Sequence, residues 1–244
     1  MRIASIATYR DRLEVLPDAI NSLAPQVDLV QIYFNGELGW GEFRTLGEKL
    51  NHKNWKLNIV EDQADLSKFN AIFDYPEDII FLCDDDLIYR DRYISRMERC
   101  LLHSQFIGSD VISLGGKVLK EGDELMNANN YKACCSKRYG CFMPNPEIVF
   151  SNTLDIPLSG ATVLQAKHFQ DCVIDPKYKY AADIQLFKWC RDKDLLIKRA
   201  FNCNKRLASY SPKMKGKETI FNSFTQPKAD HVAKLIKEIF TGQI

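Results

Sequence analysis

The sequence runs to 244 residues, with 33 Lys and Arg against 32 Asp and Glu, a formal net charge of +1 that argues against a general nucleic-acid binder. At 45% hydrophobic and 27% charged, its composition is that of an ordinary globular protein, long enough for one large α/β domain or two small ones. The charge is uneven: Lys193 to Ile244 holds eleven basic and four acidic residues, so an acidic body carries a basic tail, which suits a phosphate-bearing ligand or an anionic membrane surface.

Arg2 to Ala7 reads as a first strand, followed by the polar loop Thr8-Tyr9-Arg10-Asp11-Arg12 and by Leu13, Leu16, Ile20 and Leu23 at helical spacing. Pro17 lies early in that helix, where it can start it. Leu29 to Phe34 is a second strand, stopped by Asn35-Gly36. Lys56 to Val60 is a third, ending at Glu61-Asp62, and Leu66 to Phe73 a short helix. The fourth strand, from Ile79, is apolar without alternation, as in the buried middle of a parallel sheet, and runs straight into Asp84-Asp85-Asp86. An acid run is commonly a solvated turn, but such a turn needs no buried strand aimed at it. Three adjacent carboxylates taken from water repel one another unless a cation is bound, and Mg²⁺ or Mn²⁺ prefers carboxylate oxygen. Asn35, Asp62 and Asp84 fall at the ends of successive strands, so a parallel sheet gathers them on its ligand-binding edge.

Arg90 to Ser104 carries the helical stripe Ile94, Met97, Leu101 and Leu102, and Val111 to Leu114 is a fifth strand. This β/α alternation calls for a doubly wound sheet. Neither a G-x-G-x-x-G nor a P-loop motif is present. The second half is less regular, with loops expected from Lys117 to Pro146. Phe150 to Leu158 is strand-like, Ser159 to Thr162 a tight small-residue turn, and a helix is expected from there through Phe169. Tyr178 to Cys190 contains a further helix with Asp183 at its N-cap or first turn. Leu195 to Ala200 is a late strand, and Lys213 to Lys217 a basic loop. A final helix aligns Val232, Leu235, Ile236, Ile239 and Phe240 on one stripe, for the core, a second copy or an anionic bilayer.

Eight cysteines include no C-x-x-C pair and no second zinc half-site after Cys134-Cys135; Cys83 and Cys190 read as small core residues. No signal peptide is recognisable and no apolar run reaches the length of a membrane span. A reduced cytoplasmic setting is expected, at the inner face of the membrane if the last helix lies on lipid.

The opening Ile3-Ala4-Ser5-Ile6-Ala7-Thr8-Tyr9, Lys68-Phe69, Asp84-Asp85-Asp86 and Ala182-Asp183-Ile184 together resemble, in order and spacing, a nucleotide-sugar glycosyltransferase of the GT-A fold. They are similar to the family 2 bacterial enzymes that build capsule or lipopolysaccharide chains, over about Arg2 to Arg191. The resemblance implies an α/β, Rossmann-like and mostly parallel central sheet with helices on both faces, plus an irregular acceptor-side half. One domain would span 1–244: a nucleotide-binding half at 1–115, an acceptor-binding half at 116–204, and a basic loop and amphipathic helix at 205–244.

By the same resemblance, Thr8, Tyr9 and Arg12 contact the nucleotide, and Asn35 and Asp62 hold uracil and ribose with Lys68 nearby. Asp86 ligates a divalent cation, Mn²⁺ or Mg²⁺, supported by Asp85 and by Asp84, which lies nearer the ribose. Asp183 is the catalytic base, although the acid that precedes it in the family is Ala182 here; a plain helix cap is the alternative. The family's late histidine on the metal is missing from Asn204 to Lys217. Either aspartates and diphosphate alone hold the metal, or Lys213, Lys215 and Lys217 share the charge neutralisation. The expected activity is transfer from a UDP-sugar to a saccharide or lipid-linked saccharide acceptor, with inversion, since no second carboxylate is placed for retention. A nucleotidyltransferase or phosphotransferase is the rival enzyme, though Thr8 to Arg12 lacks the Gly-rich loop it needs. A non-catalytic carbohydrate-binding or scaffold protein is the third reading.

Overall fold

The computed structural model describes residues 1–105, 110–117, 153–154, 156–200, 207–214 and 226–241. The strands β1 (Arg2–Tyr9), β2 (Leu29–Asn35), β3 (Trp55–Val60) and β4 (Ile79–Asp84) are parallel and pair in the order β3-β2-β1-β4. Their apolar runs have both faces covered: Ile3, Ala4, Ile6, Val30, Ile32, Ile80, Phe81 and Leu82 are fully buried. The register sets Ala7 opposite Asp84, Tyr9 opposite Asn35 and Asn35 opposite Val60, so the strand ends share one edge.

After a turn at Asp85 and Asp86 come β5 (Leu87–Tyr89), β6 (Val111–Ser113), β7 (Gly116–Lys117), β8 (Thr153–Leu154), β9 (Ile156–Pro157), β10 (Ala161–Gln165), β11 (Ile197–Arg199) and β12 (Ala208–Tyr210). The main sheet continues past β4 as β10-β6-β11-β8, eight strands among the described residues, while β12 pairs with β5 and β7 with β9.

The helix expected through Phe169 is absent: Ala161 to Gln165 is a strand, antiparallel to β4 on one side and β6 on the other. Thr162 and Val163 are β-branched, and Ala161, Val163 and Leu164 are buried in a slot whose two neighbours would otherwise present open edges. Only the 3₁₀ turn Ala166–Phe169 remains of the helix.

Helices cover both faces, as a doubly wound sheet requires. On one side α1 (Leu16–Leu23), α2 (Trp40–Glu48) and α4 (Tyr93–Gln105) bury Leu16, Ile20, Leu46, Ile94 and Met97 against Ile6, Ile32 and Phe81. Pro17 stands in the first turn of α1, where a missing N–H removes no helix bond. On the other side lie α3 (Asn70–Asp74), α5 (Ala182–Asp192) and α6 (Gln226–Thr241). Here Ile184, Phe187, Trp189, Val232, Leu235, Ile236 and Ile239 share a core with Ile3, Ile80 and Leu82. Val232, Leu235, Ile236 and Ile239 of the last helix's apolar stripe are therefore turned onto this chain's own sheet and α5, the core placement among those the sequence left open. No helix among the described residues is long and apolar enough to cross a membrane.

Ile236 is 1% exposed. Ile236→Ala should lower unfolding free energy by about 2–5 kcal/mol in urea titrations; a change below about 0.5 kcal/mol, usual for a surface site, would show that the stripe faces outward.

Candidate active site

The acid run sits where β4 leaves the sheet. The Asp84 amide donates to the Tyr89 hydroxyl at 2.7 Å, and that hydroxyl donates to the Gly160 carbonyl at 2.7 Å, so one buried phenol ties the acid turn to the start of β10. Gly160 is required there: a Cβ would stand 1.8 Å from Asp84 Oδ2. The Asp84 carboxylate thus lies over bare backbone, and its Oδ1 accepts from Lys68 Nζ at 2.6 Å. Lys68 is 2% exposed. Burial opposes its charge, but Asp84 first and then Asp65 and Asp183 outweigh this and raise its pKa. Its ammonium also reaches Ser159 Oγ at 3.4 Å, and the Ser159 amide donates to Asp183 Oδ1 at 2.8 Å. Asp84 and Asp183 are thereby joined through Lys68 and Ser159.

The three aspartates point different ways. Asp85 turns inward and accepts from Thr8 Oγ1 at 2.7 Å. Asp86 faces the buried Arg12, whose Nη1 lies 3.5 Å from Oδ2; the same nitrogen is 2.9 Å from Met214 Sδ, and Nε donates to the Tyr9 hydroxyl at 3.1 Å. Burial holds both Asp85 and Asp86 above the ordinary carboxylate range, and Asp86 is raised further by Asp85 and Asp84. Residue by residue, then, Thr8, Arg12, Lys68 and Asp85 are at the predicted edge, but as a buried frame of mutual contacts. Tyr9 is 38% exposed beside them.

Asn35 is also tied into this frame. Its amide donates to Thr8 O, Ala64 O and Ser67 Oγ, and its carbonyl accepts from the Gln63 amide. Asp62 is exposed, accepts from the Ala64 amide and pairs with Lys179 at 2.7 Å. Asp183 is in the first turn of α5; the N-cap is Ala181. Lys215 lies outside the described residues, as does most of the basic loop.

Among the described residues no group of three His, Cys, Asp or Glu side chains forms a ready metal cage. The donor set still fits a hard cation that keeps other ligands: Asp84 and Asp86 are carboxylates on one turn, and the repulsion that raises Asp86 is what a divalent ion would relieve. Asp85 is committed to Thr8, so Asp84 and Asp86 are the carboxylates of this turn that would hold such an ion.

Sequence reasoning missed Tyr89, Gly160, Ser159 and Asp65. The Ser159-Gly160 turn was visible, but nothing local showed that a carboxylate from β4 packs on it. Asp65 had no motif. Its Oδ2 accepts from the Ala182 amide at 3.1 Å, while Oδ1 is buried with no hydrogen-bond partner among the described residues.

No protein-family description and no curated protein matches the sequence. Solved structures do match in shape. Glucosyl-3-phosphoglycerate synthase from Mycobacterium tuberculosis, in complex with Mn²⁺, UDP-glucose and phosphoglyceric acid, aligns with a TM-score of 0.58 and 13% identity over 98% of this chain and 79% of that one. The same enzyme with Mg²⁺ and UDP gives 0.57 and 12%, with the same 98% and 79%. Residues 1–349 of S. aureus TarS give 0.51 and 14%, over 98% of this chain and 72% of that one. The architecture is the GT-A glycosyltransferase fold.

Two outcomes follow from this geometry. Gly160→Ala must displace Asp84 and should destabilise by at least the 1–3 kcal/mol typical of overpacking, about 2 °C or more in melting temperature. A melt unchanged within error would mean the carboxylate is not held there. Burial is the main reason the Asp65 carboxyl is pushed up to about 6, from an ordinary 3.8. The native state then holds this proton longer than the unfolded chain, so stability falls between about pH 4 and pH 6 and is level above, by roughly 3 kcal/mol from this group. Urea midpoints across that range should fall more steeply for wild type than for Asp65→Asn; parallel curves would refute the shift.

Proposed function

We propose that this chain is a metal-dependent, inverting glycosyltransferase. It transfers a hexose from a UDP-sugar to a hydroxyl of a saccharide or lipid-linked saccharide acceptor, in cytoplasmic synthesis of a surface polysaccharide. The observation that carries this reading is the Lys68–Ser159 link, which sets the acid turn and Asp183 side by side at the ligand edge of the sheet. The solved complexes of the same fold with UDP and with Mn²⁺ or Mg²⁺ support the ligand class.

Roles follow from exposure. Tyr9 and Asp62, the accessible groups, are left to meet base and ribose, while Thr8, Arg12, Asn35, Lys68 and Asp85 fix the edge they project from. Asp86 and Asp84 would hold Mn²⁺ or Mg²⁺, which supplies stabilisation of the negative charge that develops on the diphosphate leaving group. Asp183 takes the acceptor hydroxyl proton as the oxygen attacks the anomeric carbon and the bond to the diphosphate breaks. The Ser159 amide holds the carboxylate in place for this. A single displacement inverts that carbon. The 1–115 half holds the donor, the 116–204 half the acceptor, and Lys215 with its basic neighbours in 205–244 adds positive charge for the phosphates.

A screen of UDP-sugars for slow hydrolysis with Mn²⁺ tests this without knowledge of the acceptor. Asp183→Ala should lower turnover by about 10²–10⁴-fold, the usual share of a general base, and leave Mn²⁺-dependent UDP binding intact by calorimetry. Asp86→Ala should lose both. Equal loss of UDP binding in the two variants would undo the division of roles, and no UDP binding by wild type with or without Mn²⁺ would favour the non-catalytic reading.

A further inference from the structure

Asp65 lies in the 3₁₀ turn Ala64–Phe69, between β3 and α3. The residue before it, Ala64, has a φ of 52°, a left-handed conformation that crowds a side chain's Cβ against the backbone. Three contacts impose it: the Ala64 amide donates to Asp62, while its carbonyl accepts from Asn35 and from Ser67 Oγ. Strain held this firmly aims the next residue. Asp65 is carried across the end of the sheet to α5, where Oδ2 accepts from Ala182 at 3.1 Å. Helix α5 needs that acceptor, since its own N-cap, Ala181, has no side-chain cap.

Capping alone does not account for a carboxylate here. Asn or Ser could accept the same amide bond without burying a charge. Asp65 leaves Oδ1 buried with no hydrogen-bond partner among the described residues and adds a third carboxylate around Lys68, with Asp183 and Asp84 close enough to repel it. What the charge does is attract the Lys68 ammonium, which Asp84 holds at 2.6 Å.

We propose that Asp65 is a positioning residue for Asp183: it clamps the first turn of α5 to the loop after β3 and keeps Lys68 between the two halves of the site. This rests on the glycosyltransferase reading. Asp65 touches no reacting atom. It acts through the Ala182 amide, one residue from the base, and through Lys68.

The test compares wild type, Asp65→Asn and Asp65→Ala in UDP-sugar hydrolysis with Mn²⁺, alongside calorimetric UDP affinity and thermal melts. Asp65→Ala should lower kcat by about 100-fold, the scale of a base misplaced by about 1 Å, with KM and UDP affinity within about threefold of wild type. Asp65→Asn keeps an acceptor for Ala182 and should recover kcat to within about tenfold. Asp65→Ala with wild-type kcat overturns the proposal. So does a parallel fall of kcat, UDP affinity and melting temperature in both variants, the mark of a purely structural residue. A wild type inert towards every UDP-sugar ends the glycosyltransferase reading and this role with it, whereas an active wild type matched by Asp65→Ala ends this role alone.

Discussion

A single buried ammonium organises this site. An isolated Lys side chain inside a protein loses several kcal/mol of hydration and is retained only if carboxylates replace the water. Lys68 has Asp84 at 2.6 Å and the fields of Asp65 and Asp183 around it. Its backbone is fixed as well, since the Lys68 carbonyl accepts from the buried Ser5 hydroxyl of β1 at 2.6 Å. The cation is thus set by the centre of the sheet, and the acids arrange themselves about it. Three carboxylates around one ammonium leave the pocket negative. Arg12 offsets part of the next pair, Asp85 and Asp86, but Asp86 keeps its proton beyond the ordinary carboxylate range. A divalent cation bound at this turn would relieve the repulsion from Asp85 and Asp84 that adds to burial in raising Asp86.

The direction of β10 decides which residues can share the site. Because β10 is antiparallel to β4, its first residues lie beside the last residues of β4, with Ala161 opposite Cys83. Ser159 and Gly160, just before it, are therefore delivered to Asp84. A parallel strand in the same slot would put its beginning at the far edge, and a helix would give β4 no backbone partner there. The bare Cα of Gly160, the Tyr89 hydroxyl that bridges Gly160 and Asp84, and the Ser159 amide on Asp183 all depend on that one reversal.

This explains what the sequence could and could not reveal. The parallel strands β1 to β4 were legible because a strand buried on both faces writes itself as an unbroken apolar run, and the acids that end β4 stand out against it. Helix α5 and Asp183 were legible from the stripe Ile184, Phe187 and Cys190. β10 was not, because five residues bounded by Gly160 and a 3₁₀ turn fit either period. Arg12, Asn35 and Asp85 were assigned to the strand-end edge, and there they lie, but their burial was not legible. Their burial arises from partners far along the chain, Met214, Gln63 and Thr8 among them, which no local pattern encodes. Asp65 was invisible for the same reason: its partner Ala182 lies in the other half of the chain.

The separation of acidic body and basic tail also finds its place. β12 pairs with β5, directly after the acid turn, and the Ser211 amide donates to the Asp86 carbonyl at 2.8 Å. Lys213 Nζ and Ser211 Oγ both engage Asp18 at the start of α1, and Met214 lies on Arg12. These contacts hold the segment 207–214 beside the acid turn. Opposite charges far apart in sequence are closed against each other by β-pairing, since long-range attraction alone is screened within about 10 Å at 0.1 M salt.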